Sequence, residues 1–232
     1  MGITCFLPCR KGSERVPKKN IRPIAGYGSG LLEIKLNQLL ASRRIDHIIL
    51  STNDPDVIAY ARSVASTRLE IRARAEELAS SSTSTDQLIE FAGAQVEQGD
   101  LLWTHVTSPF ITAGHYDDMI DMYLRKREEG YDSLMSVNEL RGFLWNDAGP
   151  VNYDRNVEKW PRTQTLSPLY EINSAVFLAP VDVYRNCHDR IGKTPYKYVL
   201  DKIQGFDIDW EEDFRIAEAM LSTGIGKTGI EK

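Results

Sequence analysis

Short apolar runs alternate along the chain with stretches whose apolar residues recur every three or four positions. Ile3–Leu7, His47–Ser51, Leu69–Arg72, Leu101–Val106 and Ser133–Val137 read as strands, each bounded by polar or turn residues. Between them, Leu31–Ser42 carries Leu31, Leu32, Ile34, Leu36, Leu39 and Leu40 at broadly helical spacing. Val57–Ala65, Gln87–Val96 and Tyr116–Arg127 share that character, with Asp86 and Asp117 placed to start the last two. Strand–helix alternation of this kind predicts an α/β fold: a mostly parallel sheet sandwiched by helices.

The alternation breaks after about Val137. Residues Gly142–Pro168 are rich in Gly, Pro, Asn, Asp, Arg and Trp and have little periodicity. Ser174–Leu178 then reads as another strand, and a final amphipathic helix is expected over Glu211–Leu221. The pattern predicts a single domain over 1–232 with a small irregular insertion at about 139–173, a size that suits the 232-residue length.

Composition narrows the function classes. With 42% hydrophobic and 26% charged residues the chain can bury a real core. Its net charge of −5 argues against a non-specific nucleic-acid binder, which needs a basic field to replace phosphate counterions. No run approaches the ~18 apolar residues of a membrane span. Met1 to Pro8 has no basic segment of a secretory signal, and Phe6 breaks a myristoylation pattern. Cys5, Cys9 and Cys187 are too few and scattered for a disulfide framework or a zinc site. A cytoplasmic protein with reduced thiols, and with neither nucleic-acid nor membrane partners, is the expectation.

Several strings fail as motifs. Gly226-Lys227-Thr228 ends like a P-loop, but Leu221 stands where the first glycine belongs. Gly26–Gly30 lacks the GxGxxG spacing and reads as a turn before a helix. His47, His105, His115 and His188 show no metal-ligand spacing.

The chemistry concentrates in Cys9–Asn20, directly after the first strand. In an open α/β sheet that loop lies at the carboxyl edge, where ligands bind. Arg10, Lys11, Arg15, Lys18 and Lys19 crowd into it within an otherwise acidic chain. Gly12 and Ser13 free backbone N–H groups to face an anion, and Pro17 stiffens the exit. Arg forks and compact Lys charges together suit the phosphate oxygens of a triphosphate. The other reading is a solvated basic loop.

Cys9-Arg10-Lys11-Gly12-Ser13-Glu14-Arg15-Val16-Pro17-Lys18-Lys19-Asn20 resembles the amino-terminal signature A-R-x-G-S-K-x-(I/L)-P-x-K-N of the acylneuraminate cytidylyltransferases, the CMP-sugar synthetases. The resemblance implies a Rossmann-like nucleotidyltransferase sheet. It makes Arg10, Gly12, Ser13, Arg15, Lys19 and Asn20 contacts to CTP, with catalytic roles for Arg10, Arg15 and Lys19. Glu14 stands where the family carries Lys; Arg15 supplies the charge, as in the related Kdo cytidylyltransferases.

The likeness continues downstream. Ile48–Asp54 is similar to the second core strand and its turn, and Arg74–Ser80 to an R-x-x-E-L-A-x segment. There the resemblance makes Arg74 and Ser84 base or ribose contacts; the residues alone equally suit a polar loop, Ser80–Thr85, capping the next helix. An acidic residue is common in the family where Ser81 stands. Thr107-Ser108-Pro109-Phe110 resembles a T-S-P-(L/F) turn, where the chain carries His105 in place of a frequent Gln.

Asp207-Ile208-Asp209 places two carboxylates at i and i+2, on one side of an extended segment. Such a pair suits Mg²⁺, a hard ion that shares oxygen ligands with substrate phosphates. The run Asp207–Phe214 resembles the family's D-(I/V)-D-x-x-x-D-(F/L), which implies Asp207 and Asp209 as metal ligands; Asp213 suits the start of the following helix. Arg162–Tyr170 and Asn173-Ser174-Ala175-Val176 resemble R-x-Q-x-L-P-P-x-Y and N-G-A-(I/V). The resemblance assigns this insertion to sugar recognition and homodimer contacts, with Thr107, Ser108, Arg162, Gln164 and Asn173 as sugar-binding candidates. Ser174 replaces a Gly, and Glu171 stands where some members carry Arg.

The expectation is a Mg²⁺-dependent cytidylyltransferase that transfers CMP from CTP to the anomeric hydroxyl of a sialic-acid-like 2-keto-3-deoxy sugar acid. Two alternatives stay open: another sugar-nucleotide pyrophosphorylase, and a degenerate nucleotide-binding member without turnover.

Overall fold

The computed structural model describes residues 2–75, 78 and 83–230. Its elements are, in chain order, β1 (Ile3–Pro8), α1 (Gly30–Ala41), β2 (His47–Thr52), α2 (Pro55–Val64), β3 (Leu69–Ala73), α3 (Thr85–Ala94), β4 (Asp100–Trp103) and α4 (Ala113–Glu128). Then follow β5 (Ser133–Leu140), β6 (Trp145–Asn146), β7 (Gly149–Pro150), β8 (Leu169–Pro180), α5 (Val181–Asn186), β9 (Pro195–Leu200) and α6 (Glu211–Thr223). Seven strands form one sheet in the order β3-β2-β1-β4-β8-β5-β9. Only β8 runs against its neighbours, pairing antiparallel with both β4 and β5. The mostly parallel α/β fold expected from the alternation is the fold observed.

Strand pleating explains the two-sided core. On β1, Ile3, Cys5 and Leu7 face one layer while Phe6 faces the other. The first layer takes the apolar faces of α1, α2, α4 and α6, including Leu36, Val57, Tyr116 and Phe214. The second takes α3 and α5, with Ile89 and Tyr184 against Phe6 and Trp103. Among the described residues, no helix is long and apolar enough to cross a membrane.

The structure revises several boundaries. β4 ends at Trp103, short of Val106; Thr104 still bonds both neighbouring strands, its amide to Phe6 O at 3.2 Å and its hydroxyl to Ala175 O at 2.6 Å, before the chain turns away. β8 begins at Leu169, five residues before the expected Ser174, and both ends of the 139–173 stretch are strand. Across a bulge at Met135/Val137, Leu169–Ile172 pairs with Val137–Leu140. That pairing is made by the backbone, so it leaves no apolar alternation to read. β9, absent from the expected strands, is an edge strand opening on Pro195, a position that donates nothing to the ladder. The helix starts differ as well. Ser84 and Thr112, rather than Asp86 and Asp117, cap α3 and α4. Asp117 instead accepts hydrogen bonds from Ser42 Oγ and from the amides of Arg43 and Arg44, closing the end of α1.

Candidate active site

The loop after β1 is pinned at both ends. The Cys9 amide donates to Ser51 O at 2.9 Å, extending the β1–β2 pairing by one step. Asn20 Nδ2 donates to Arg10 O at 3.0 Å, and the Lys11 amide donates to Asn53 Oδ1 at 2.9 Å. Val16, fully buried, anchors the middle in the core. Gly12 sits at φ +80° with open space where a Cβ would stand, so the loop uses its backbone freedom.

So held, Arg10, Ser13, Glu14, Arg15, Lys19 and Asn20 line a cleft of about 310 Å³, closed on the far side by His105 and Thr107. A second cleft, about 540 Å³, adjoins it through the carboxyl-rich segment before α6, with Asp207, Asp209, Asp213, Asn173 and Lys202 in its wall. Cation and carboxylate walls meet directly. Arg15 Nη2 lies 2.9 Å from Asp209 Oδ1, and its guanidinium stacks 4.9 Å over the Trp210 ring. Lys19 Nζ donates to Ile208 O at 2.8 Å. Burial pulls the Lys19 ammonium below its usual range, opposed by Asp209 and Asp207. Alongside, Arg22 pairs with Glu211 at 2.8 Å and stacks on Phe214, fixing α6 to the same loop.

Ile208 explains how the two aspartates share a side. Its side chain is buried, and its amide donates to Thr107 O at 3.0 Å. Asp207 and Asp209 are thereby turned together toward the cleft. Burial raises the Asp207 carboxyl above the ordinary carboxylate range, and the Thr107 hydroxyl bonded to it opposes this. Asp207 Oδ1 is buried without a hydrogen-bond partner among the described residues. Asp213 Oδ2 accepts from the Asp209 and Trp210 amides at 3.0 and 2.8 Å, the helix-starting role read from sequence. No group of three or more potential metal ligands gathers among the described residues. A buried, unpartnered carboxylate oxygen beside a second carboxylate nonetheless fits a Mg²⁺ ion that completes its shell with phosphate and water.

Other expected residues fall into three groups. Arg74 is buried, donating to Ser51 Oγ and Ser51 O, and with Arg10, Thr83 and Ser84 it lines a further pocket of about 190 Å³ beside the loop. Ser84 lines that pocket while its hydroxyl accepts from the Gln87 amide at 3.2 Å, a cap with its reciprocal Gln87 bond. Ser80, Ser81 and Ser82 lie outside the described residues, as do Glu76, Glu77 and Ala79 of the preceding segment. Asn173 lines the larger cleft, but its Oδ1 accepts from Ser136 Oγ and the Ala175 amide while its Nδ2 donates to Asn138.

Ser108, a candidate sugar contact, faces the interior. Its side chain is buried and lines neither cleft, because the turn is drawn inward by Lys35, whose Nζ donates to Ser108 O at 2.8 Å. Arg162 and Gln164 lie at an exposed 3-10 turn, Thr163–Thr165, and line neither cleft within one chain.

Lys35 is the residue that sequence reasoning missed. It lies buried on α1 among leucines, and burial pushes its ammonium down to about 7. A relay runs from Lys35 Nζ to Tyr116 Oη (2.7 Å), to Thr104 Oγ1 (2.8 Å) and to Ala175 O. Gln38, one turn on, donates to Pro109 O and Thr228 O. Together they hold the 107–110 turn from beneath. A lysine and a glutamine on the apolar face of a helix were the available signal.

The chain matches known proteins along nearly all of its length. It is 25% identical over 215 residues to an N-acylneuraminate cytidylyltransferase of Streptococcus agalactiae serotype III, covering 90% of this chain and 51% of that protein. The chain thus spans about half the length of the first curated relatives it matches. A pseudaminic acid cytidylyltransferase of Campylobacter jejuni serotype O:2 is 29% identical over 226 residues, covering 93% of this chain and 94% of that one. In fold, the chain resembles a CMP:2-keto-3-deoxy-manno-octonic acid synthetase complexed with CTP (TM-score 0.67, 14% identity, 97% and 100% of the two chains). A family model described as Cytidylyltransferase matches residues 4–220, the span that holds both the cationic loop and the paired aspartates, and the chain therefore belongs to the cytidylyltransferase family.

Proposed function

We propose that this protein transfers CMP from CTP to the anomeric hydroxyl of a sialic-acid-like 2-keto-3-deoxy sugar acid, releasing pyrophosphate. The carrying observation is the contact of the cationic loop with the carboxylate segment through Arg15–Asp209 and Lys19–Ile208 O. It brings the cationic loop and the paired carboxylates to one cleft edge, which supports a triphosphate and a metal bound side by side.

The sugar hydroxyl oxygen, giving up its proton to solvent, forms the new bond to the α-phosphorus while the bond to the bridging oxygen of pyrophosphate breaks, in line. Arg10, Arg15 and Lys19 stabilise the charge gathering on the departing pyrophosphate, and Ser13 and the Gly12 backbone orient it. Asn20 braces Arg10 from behind. Asp207 and Asp209 are the residues to hold Mg²⁺, which when bound neutralises triphosphate charge. The rest of the rate comes from positioning, with no covalent intermediate on the enzyme. Arg74 and Ser84 border the space for ribose and base.

The sugar belongs in the larger cleft. Lys202 is the cation in that wall, and it is the group for the sugar carboxylate to meet. Arg162 and Gln164 extend on an arm with exposed Trp145, Val157 and Trp160. We place a homodimer contact on this arm, which sedimentation of the purified chain tests.

Pyrophosphate release, assayed with each of the four nucleoside triphosphates against keto-acid sugars and sugar phosphates, tests the reading. Release with CTP and a keto acid supports it. Another nucleotide or a sugar phosphate favours a different pyrophosphorylase, and binding without turnover favours a degenerate member.

A further inference from the structure

His105 lines the phosphate cleft opposite the cationic loop and has no role in the mechanism above. Its Nε2 lies 2.7 Å from Trp103 Nε1. An indole nitrogen only donates, so Nε2 accepts, and a neutral imidazole in that state carries its proton on Nδ1. The indole is itself immobilised. It is buried against Phe6, and the Arg190 guanidinium covers it at 5.1 Å while lying 3.8 Å over Phe177.

Protonation of the ring is opposed on all sides. Burial, then Arg190, Lys19, Lys35 and Arg74, push the imidazole down to about 3. Among the described residues Nδ1 has no hydrogen-bond partner, while the ring stands in the cleft wall with Thr107. The remaining wall residues that carry charge are Arg10, Arg15, Lys19 and Glu14, so the occupant is an anion.

We propose that Trp103 locks His105 in the tautomer whose Nδ1–H donates to a phosphoryl oxygen of the bound nucleotide or of pyrophosphate. His105 is the binding residue; Trp103 acts through it and is a positioning residue. The inference rests on the phosphate-binding reading of this cleft but not on the identity of the base or the sugar. A neutral donor there adds a directed hydrogen bond without adding a fourth positive charge to the Arg10, Arg15 and Lys19 cluster.

Inorganic pyrophosphate is the probe, since it has neither base nor ribose and tests the cleft independently of CTP specificity. Titration calorimetry on the full chain compares wild type with His105→Phe, His105→Gln and His105→Asn. Asn carries an amide near the Nδ1 position, whereas Gln reaches toward Trp103 instead. Loss of one hydrogen bond to a charged group predicts binding weaker by about tenfold or more in the Phe and Gln variants. His105→Asn should stay within about threefold of wild type. Imidazole nitrogen NMR of the wild type should show His105 as the Nδ1–H tautomer at neutral pH, and Trp103→Phe should mix the tautomers. An Nε2–H tautomer or an imidazolium in the wild type overturns the proposal, whatever the variants do. So does unchanged pyrophosphate affinity in a folded His105→Phe, or equal losses in all three variants, which would mark a structural residue.

Discussion

Arg15 and Asp209 stand 194 positions apart in the chain, yet their side chains meet at 2.9 Å. The pair ties the loop after the first strand to the segment before the last helix, and the proposed phosphate and metal chemistry depends on that junction. Both side chains are about half exposed, so the ion pair itself contributes little to folding, about 0–1 kcal/mol.

Asp209→Ala should therefore abolish Mg²⁺-dependent pyrophosphate release while moving unfolding stability by no more than about 1 kcal/mol. Denaturant titration beside the activity assay separates the two effects. Full turnover with Mg²⁺ in a folded variant would remove Asp209 from the metal site.

Ser84 borders a pocket while capping α3, so its two roles separate by substitution. Ser84→Ala should cost about 1 kcal/mol of stability, and Ser84→Asn, also a good cap, should restore it. If CTP affinity instead falls equally in both variants with stability unchanged, the hydroxyl serves the ligand.

Lys35 gives a stability that depends on pH. The unfolded chain keeps this lysine protonated to about 10.5, whereas the folded chain releases the proton near 7. Between those values the unfolded state binds more protons, so wild-type stability rises with pH, by at most about 1.4 kcal/mol per pH unit. Lys35→Met should lose that rise. Unfolding of both proteins over about pH 7–10 checks it, and parallel profiles would show that Lys35 is charged inside the fold.

The three thiols should separate by reactivity. Burial pushes Cys9 up to about 12 and raises Cys5 further, while Cys187 is exposed. Only a thiolate alkylates readily. Native protein treated with iodoacetamide should be labelled once, at Cys187, and mass spectrometry after digestion reads the site. Rapid labelling of Cys9 would mean that the loop after β1 opens.

What the sequence determined by itself was local. The periodicity of Leu31–Leu40 is set by one helix, and Arg10–Lys19 and Asp207–Asp209 are contiguous runs whose charges show in a single window. The fold class, the cationic loop and the carboxylate pair were legible for that reason. Tertiary structure decided what depends on long-range pairing. It drew β8 out to Leu169 through backbone bonds to β5, which no side-chain pattern records. It turned Ser108 inward because Lys35, 73 positions away, holds the carbonyl of that turn. It also gave His105 its tautomer: the Trp103 indole lies only two residues away, yet the buried stack that fixes it includes Arg190 and Phe177. Charge is a property of the residue, but the direction in which a donor points is a property of everything packed around it.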